Sequence, residues 1–284
     1  MFYRQYTPPP PLSAFVGCIW YSEGFEGTHE RERLLPNGES AIVIDLREDL
    51  RSAPENDLVE PSMRIYDGCN VEQFDTHAPA IFCGARTDCF VIETSQQERV
   101  IGIQFRPGGA FPFLDMPASE VADSTYSLDD AWPGCATLLR EELMSACNVH
   151  AMFAILERTL MSRLAKTSTL HPAIAFAAGQ LARCTQNMRV SDVVDRAGFS
   201  SRRFIELFRD QTGLTPKAFQ RVRRFQRILQ ALRQKSDGNW AALAANCGYY
   251  DQAHFIHDFK TFSGMTPGQY ITVATPHLNH VPLK

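Results

Sequence analysis

Arg202, Arg203 and Glu206 fall close together, and Gln252, His254 and His257 recur about fifty residues later. Residues of these types, turned outward on a helix, can exchange hydrogen bonds with the polar edges of bases. An arginine near the start of such a helix reaches O6 and N7 of a guanine, and a carboxylate orients that arginine or accepts from a cytosine amine. A bidentate contact of this kind is worth ~1–3 kcal/mol. His254 and His257, three apart, share a helix face and would gain charge as pH falls toward ~6.5. Arg221, Arg223, Arg224 and Arg227, with Lys260, form a second set suited to neutralising phosphates.

The elements that must position these groups repeat. Gly198 to Pro216 reads GFSSRRFIELFRDQTGLTP, and Gly248 to Pro267 reads GYYDQAHFIHDFKTFSGMTP. The first glycines are offset by 50 residues; Phe204 and Phe255, Phe208 and Phe259, Gly213 and Gly264, Pro216 and Pro267 are offset by 51. The added residue falls in the turn after the first glycine, where insertion is cheapest. Ser191 is expected to cap a short helix carrying Val193, Val194 and Ala197, which ends at Gly198 in a left-handed conformation. Ser200 or Ser201 caps the next helix, whose Phe204, Leu207 and Phe208 make a buried stripe. Leu243, Ala244 and Cys247 precede Gly248 in the second unit, and Phe255, Phe259 and Phe262 form its stripe. Two helices around a glycine turn suggest a helix-turn-helix, here present twice.

Between the units, Thr215 can cap a helix that opens at Pro216, where the missing N–H costs nothing. Ala218, Phe219, Val222, Phe225, Ile228, Leu229 and Leu232 follow helical spacing to about Arg233. At ~1.5 Å per residue the rod is roughly 27 Å long, against ~34 Å for a turn of B-DNA. It can therefore place two helices in successive major grooves on one face of a duplex.

The motifs AGFSSRRFIELFRDQTGLTPKAF and GYYDQAHFIHDFKTFSGMTPGQY follow the glycine, aromatic and Gly-x-Thr-Pro pattern of the AraC/XylS family of bacterial transcription regulators. About Arg189 to Tyr270 resembles that family. The resemblance implies a seven-helix DNA-binding domain in which outward residues near the start of each recognition helix read bases. Those positions are Arg202, Ile205 and Glu206 here, and Ala253, His254 and His257; Ile205 and Ala253 can offer a base only an apolar contact.

Charge follows the same division. Residues 171–284 hold 15 Lys+Arg against 7 Asp+Glu, whereas residues 1–170 hold 13 against 25. A net charge of −4 thus conceals a basic segment beside an acidic one, and a basic face is what phosphate binding needs. No apolar run reaches the ~20 residues that span a bilayer, and MFYRQYTPPPPL lacks the apolar stretch of a secretory leader. Cysteines at 18, 69, 83, 89, 135, 147, 184 and 247 include no Cys-x-x-Cys pair, so reduced thiols and a cytoplasmic location are expected.

The first ~125 residues read as strands at Phe15–Tyr21, Glu39–Leu46, Met63–Tyr66, Ala80–Cys83, Cys89–Glu93 and Val100–Phe105, with a turn at Pro36-Asn37-Gly38. Such spacing suggests a small barrel. LLPNGESAIVIDL and GIQFRPGGAFPFLDMPASEVAD resemble the cupin-like sensor of some AraC-type regulators. Leu128 to about Lys166 turns helical, a segment that in related regulators connects or dimerises the sensor. The expected architecture is α+β and multidomain: a β-rich cupin-like sensor at 1–125, a helical connector at 126–170, and an all-α domain with two helix-turn-helix units at 171–284.

These features predict a DNA-binding transcription regulator that answers to a small-molecule effector and is not an enzyme. Trp20, Phe82 and Arg106 are the candidate effector contacts. His29 and His77 are isolated, so no metal site and no cofactor are expected. The expected partners are double-stranded DNA and an effector, with RNA polymerase and a second copy as further candidates and no membrane. Two alternatives compete: a thiol- or metal-sensing regulator using Cys83 and Cys89, which approach if their strands pair, and a DNA-repair enzyme with a reactive cysteine, which would need an activated thiolate.

Overall fold

The computed structural model describes residues 1–25, 27, 29–48, 50–51, 58–59, 62–68, 72–164, 169–183, 190–234 and 240–283. In chain order the strands are β1 (Phe2–Tyr6), β2 (Val16–Glu23), β3 (Arg31–Leu34), β4 (Ala41–Asp45), β5 (Leu50–Arg51), β6 (Leu58–Val59), β7 (Met63–Asp67), β8 (Asp75–His77), β9 (Ala80–Cys83), β10 (Phe90–Glu93), β11 (Arg99–Phe105), β12 (Thr125–Ser127) and β13 (His280–Leu283). The helices are α1 (Leu128–Ala131), α2 (Ala136–Met144), α3 (Val149–Leu164), α4 (Pro172–Arg183), α5 (Val190–Ala197), α6 (Ser201–Thr212), α7 (Pro216–Gln234), α8 (Trp240–Asn246), α9 (Gln252–Ser263) and α10 (Pro267–Val273). No helix among the described residues is long and apolar enough to cross a membrane.

Antiparallel pairing gives one sheet in the order β1-β2-β11-β4-β9-β12 and another in the order β13-β3-β10-β7-β8, beside the small pair β5-β6. Each strand expected from the sequence is present, as β2, β4, β7, β9, β10 and β11. The expected barrel is not closed: among the described residues no hydrogen-bonded strand pair joins the two main sheets. The pleat of the first sheet divides its side chains between two cores. Ile19, Ile42, Phe82, Ile101, Ile103 and Phe105 pack with Trp132 and with Leu143, Leu156 and Leu160 of α2 and α3. Helices α2 and α3 therefore cover this face of the first sheet, and Trp132 is fixed there by donating from its indole N–H to the Phe113 carbonyl at 2.8 Å. The opposite face carries Val43, Ile81 and Cys83 toward Leu34, Ile65, Phe90 and Ile92 of the second sheet.

The last strand was not expected. β13 pairs antiparallel with β3, so residues beyond the all-α unit complete the sensor's second sheet. Pro282 cannot donate to a ladder, which is tolerated because β13 lies at the sheet edge. Val281 is fully buried against α7 and α9 residues. Behind it, Gln226 of α7 donates to the Pro36 carbonyl at 2.7 Å and to Asn279 at 2.8 Å, and the Leu35 N–H donates to the Asn279 carbonyl at 2.9 Å.

A buried carboxylate secures this junction. Glu32 of β3 lies 2.7 Å from His29 Nε2, 2.8 Å from His280 Nδ1 and 2.8 Å from Gln97 Nε2. Burial by itself raises the Glu32 carboxyl, but the hydrogen bond and charge of His280, aided by Gln97 and His29, outweigh it and hold the group at about 2, below its usual 4.5. A depressed carboxylate pKa contributes stability that is complete above the unfolded value and lost as pH falls through the folded one. Urea-unfolding midpoints should therefore drop between about pH 5 and pH 2, and drop less steeply for Glu32→Gln. Parallel pH dependence in wild type and variant would show that Glu32 does not hold β13.

Candidate nucleic-acid interface

The repeat glycines all occupy the left-handed region the turns require, Gly198 at φ +73°, Gly213 at +88°, Gly248 at +80° and Gly264 at +70°. Ser200 caps α6 by accepting from the Arg203 N–H, and Asp251 caps α9 by accepting from the His254 N–H. The two caps are themselves 51 residues apart, so the repeat holds at the level of hydrogen bonds. Ser191 does not cap α5 as expected; it lies inside that helix, which has begun by Val190.

Phe204 and Phe208 are fully buried with Ile174, Ala177 and Leu181 of α4 and with Phe219 from the first turn of α7. Phe255 and Phe259 are fully buried with Phe225, Ile228 and Leu229 further along α7. One helix thus supplies the core of both units in succession.

Burying these stripes turns the amino-terminal halves of α6 and α9 outward. Arg202, Arg203, Ile205 and Glu206 are exposed. The Arg202 side chain is 91 % exposed, and its Nε donates to Glu206 at 3.0 Å, the orienting pair the sequence suggested. On α9, Gln252, Ala253, His257 and Lys260 are exposed, and His254 is half-buried. The His254 ring sits edge-on to Tyr249 at 5.2 Å, with Nε2 3.7 Å from Asp258.

Three of the arginines expected along phosphates have partners within the protein. Arg223 donates to Glu39 of the sensor at 2.9 Å and to the Asn37 carbonyl at 3.2 Å. Arg221 and Arg224 donate to the two oxygens of Asp258, at 2.7 and 3.0 Å. Helical periodicity placed these groups on polar sides of α7; there Arg223 faces Glu39 and Arg224 faces α9, while Arg221, its side chain 41 % exposed, pairs with Asp258 and still meets solvent. Burial raises the Glu39 carboxyl above its ordinary value, against the lowering pull of Arg223 and Arg106.

The sensor also holds the carboxyl-terminal end of each outward-facing helix. Ala118, in the loop after β11, donates its N–H to the Asp210 carbonyl of α6 at 2.7 Å. Arg33 of β3 donates to the Ser263 carbonyl of α9 at 2.9 Å. Last-turn carbonyls have no partner within their own helix, so both contacts satisfy groups that need one.

The candidate effector residues do not converge. Register aligns Trp20 with Gly102 and Val43, facing the second sheet, and aligns Phe82 with Ile42, facing the connector helices. Alternate residues leave opposite faces of a strand, so Trp20 and Phe82 are separated by the sheet itself. A side chain at position 102 would collide with the Trp20 indole, which explains a glycine in mid-strand. Arg106 is exposed and donates to the Ser13 carbonyl at 2.8 Å. The cysteine pair is likewise split: Cys83 lies between the sheets and Cys89 packs toward the helical domain. Burial pushes the Cys83 thiol up to about 11, against lowering by Arg86 and by a Thr125 hydrogen bond. Cys69 and Cys184 lie outside the described residues. Sequence reasoning missed Asp258 and Glu39; the signal available for Asp258 was a charged residue between two stripe phenylalanines.

Two families match the chain. One, described as Helix-turn-helix domain, matches residues 174–272; the other, described as Domain of unknown function (DUF6597), matches residues 4–127. No curated protein matches the sequence. Among solved structures, the chain is similar to ToxT from Vibrio cholerae O395 bound to (E)-4-(8-methylnaphthalen-1-yl)but-3-enoic acid, at 9% identity over 96% of this chain and 99% of that one, TM-score 0.46. It is also similar to ToxT from Vibrio cholerae bound to an unsaturated fatty acid, at 11% identity over 89% and 93% of the two chains, TM-score 0.44. The DNA-binding domain of AdpA in complex with a target DNA shares 24% identity over 36% of this chain and 92% of that one, TM-score 0.33. With the doubled unit, its caps and its shared central helix in place, residues 174–272 are an AraC-type helix-turn-helix domain.

Proposed function

We propose that this protein reads two DNA boxes with α6 and α9, and that an effector acting on the sensor adjusts how those helices are held. The observation that carries this reading is the paired grip on the helix ends. A loop following the first sheet holds α6 through Asp210, and β3 of the second sheet holds α9 through Ser263. The amino-terminal halves, with Arg202, Glu206 and His257, stay exposed. The sensor therefore sets the spacing of the readers without covering Arg202, while it does cover Arg223.

An effector lodged between the sheets, on the side Trp20 faces, would alter the distance between two elements that each hold one reading helix. It shifts the balance only by binding one spacing better than another. The proposed division is a sensor at 1–125, a connector at 126–170 and a reader at 171–284, acting in the cytoplasm. RNA polymerase and a second copy of the chain are further partners of this reading. A regulator is favoured over a repair enzyme because the buried Cys83 thiol, pushed up to about 11, is poorly placed to act as a thiolate.

Selection of bound sequences from a random DNA pool tests the reading. The expected product is a motif of two boxes about one turn apart, and enrichment of no motif would overturn it. Within that motif, Arg202→Ala should lower affinity by roughly tenfold or more and relax preference in one box, since a guanine contact is worth ~1–3 kcal/mol. Unchanged affinity and motif would remove Arg202 from the interface.

The sensor's hold has its own test. Glu39→Gln and Arg223→Ala each remove one partner of the interdomain pair, so each should weaken two-box binding by roughly tenfold, about 1.4 kcal/mol. The double variant should lose little more than either single one. Single-box binding should be nearly unaffected. Two-box affinity that survives both substitutions would mean that the sensor does not set the spacing.

A further inference from the structure

Asp258 is an unusual residue to find inside a reading helix. It lies between the buried Phe255 and Phe259, and only 2 % of its side chain is exposed. A buried carboxylate without partners is strongly destabilising. Here α7 supplies two partners from consecutive turns, Arg221 on Oδ1 at 2.7 Å and Arg224 on Oδ2 at 3.0 Å.

The same arginines reach further. Arg224 donates to the Gly248 carbonyl at 3.3 Å, in the turn of the second unit, and its guanidinium lies 4.3 Å from the centre of the Tyr249 ring. Arg221 lies 5.3 Å from the Phe262 ring. The central helix therefore grips the second unit at its turn, at its reading helix and at its aromatic core. Apolar burial is not directional, so the phenylalanine stripe alone would let α9 roll on α7. Paired charged hydrogen bonds are directional and fix the roll.

The equivalent place in the first unit carries no carboxylate. The residue 51 positions before Asp258 is Leu207, half-buried and apolar. On the reading that α9 contacts DNA, we propose that Asp258 is the positioning residue of the second reading helix: clamped by Arg221 and Arg224, it sets the angle at which α9 presents His254 and His257. His254, with Nε2 3.7 Å from the same carboxylate and its ring edge-on to Tyr249, is held by the cluster as well. Arg221 and Arg224 then act through α9 and not as phosphate contacts.

Salt separates the two roles. An arginine on a phosphate releases counterions, so its loss lowers the salt slope of binding by about one. An arginine that positions α9 changes affinity and base preference without changing the slope. The full chain is titrated with two-box DNA, with each box scrambled in turn, over a salt series. The box whose preference Arg202→Ala relaxes belongs to α6, and the other belongs to α9.

Asp258→Asn, Arg221→Ala and Arg224→Ala should each weaken the α9 box about tenfold, leave the α6 box within about twofold and keep the slope. Asp258→Glu, which retains the carboxylate, should recover part of the loss. A slope reduced by about one with box preference intact, or wild-type preference in Asp258→Asn, would overturn the proposal. Hydrogen exchange without DNA gives an independent readout. Asp258→Asn should speed exchange across residues 252–263 while residues 201–212 keep their protection; no change, or an equal rise in both, would also overturn it. Failure of the wild-type chain to select any DNA would remove the preceding reading of α9, and the exchange measurement would still decide whether the clamp positions the helix.

Discussion

Last-turn carbonyls lack partners further along their own helix, and the amino-terminal domain supplies one for Asp210 of α6 and one for Ser263 of α9. Ala118 answers Asp210, and Arg33 answers Ser263. Most of the long-range architecture is compatible with these two contacts or required by them. β3 must lie beside α9, so the second sheet must face the helical domain, and β13 then lies where it can close that sheet's edge. The loop after β11 must reach α6, so both sheets bear on the two outward-facing helices.

The central helix makes this possible by presenting different residues to different neighbours. Phe219 belongs to the core of the first unit, and Phe225, Ile228 and Leu229 belong to that of the second. Arg223 and Gln226 reach the sensor at Glu39 and Pro36, while Arg221 and Arg224 reach Asp258. One helix thus ties both units and the amino-terminal domain to a single close-packed rod. The acidic sensor and basic reader meet at Glu39 and Arg223, where burial leaves the carboxyl above its ordinary value.

The doubled unit was legible in the sequence because its signals are local. Glycines in left-handed turns, the Ser200 cap, and phenylalanines at spacings of three and four are each decided within a few residues; the Asp251 cap of α9 was equally local but was not read. The strands with apolar alternation were legible for the same reason. β3, reading RERL, was not: its buried Glu32 mimics a surface residue until His29, Gln97 and His280 surround it. β13, reading HVPL, carries a proline that argues against a strand except at an edge.

The sequence by itself determined a tandem helix-turn-helix on one long helix, a β-rich domain before it, and opposite charge on the two, because periodicity and composition are properties of neighbouring residues. The tertiary structure alone decided which partner each charge takes. Arg221, Arg223 and Arg224 read alike along α7, but the sensor claims one and a carboxylate 34 to 37 residues further along claims the other two. Trp20 and Phe82 read alike as aromatic strand residues, and the pleat sends them to opposite cores. Pairing across 248 residues, as between Glu32 and His280, leaves no local trace. Polar groups take their partners from whatever packing brings near, and that is fixed only when the apolar faces have closed.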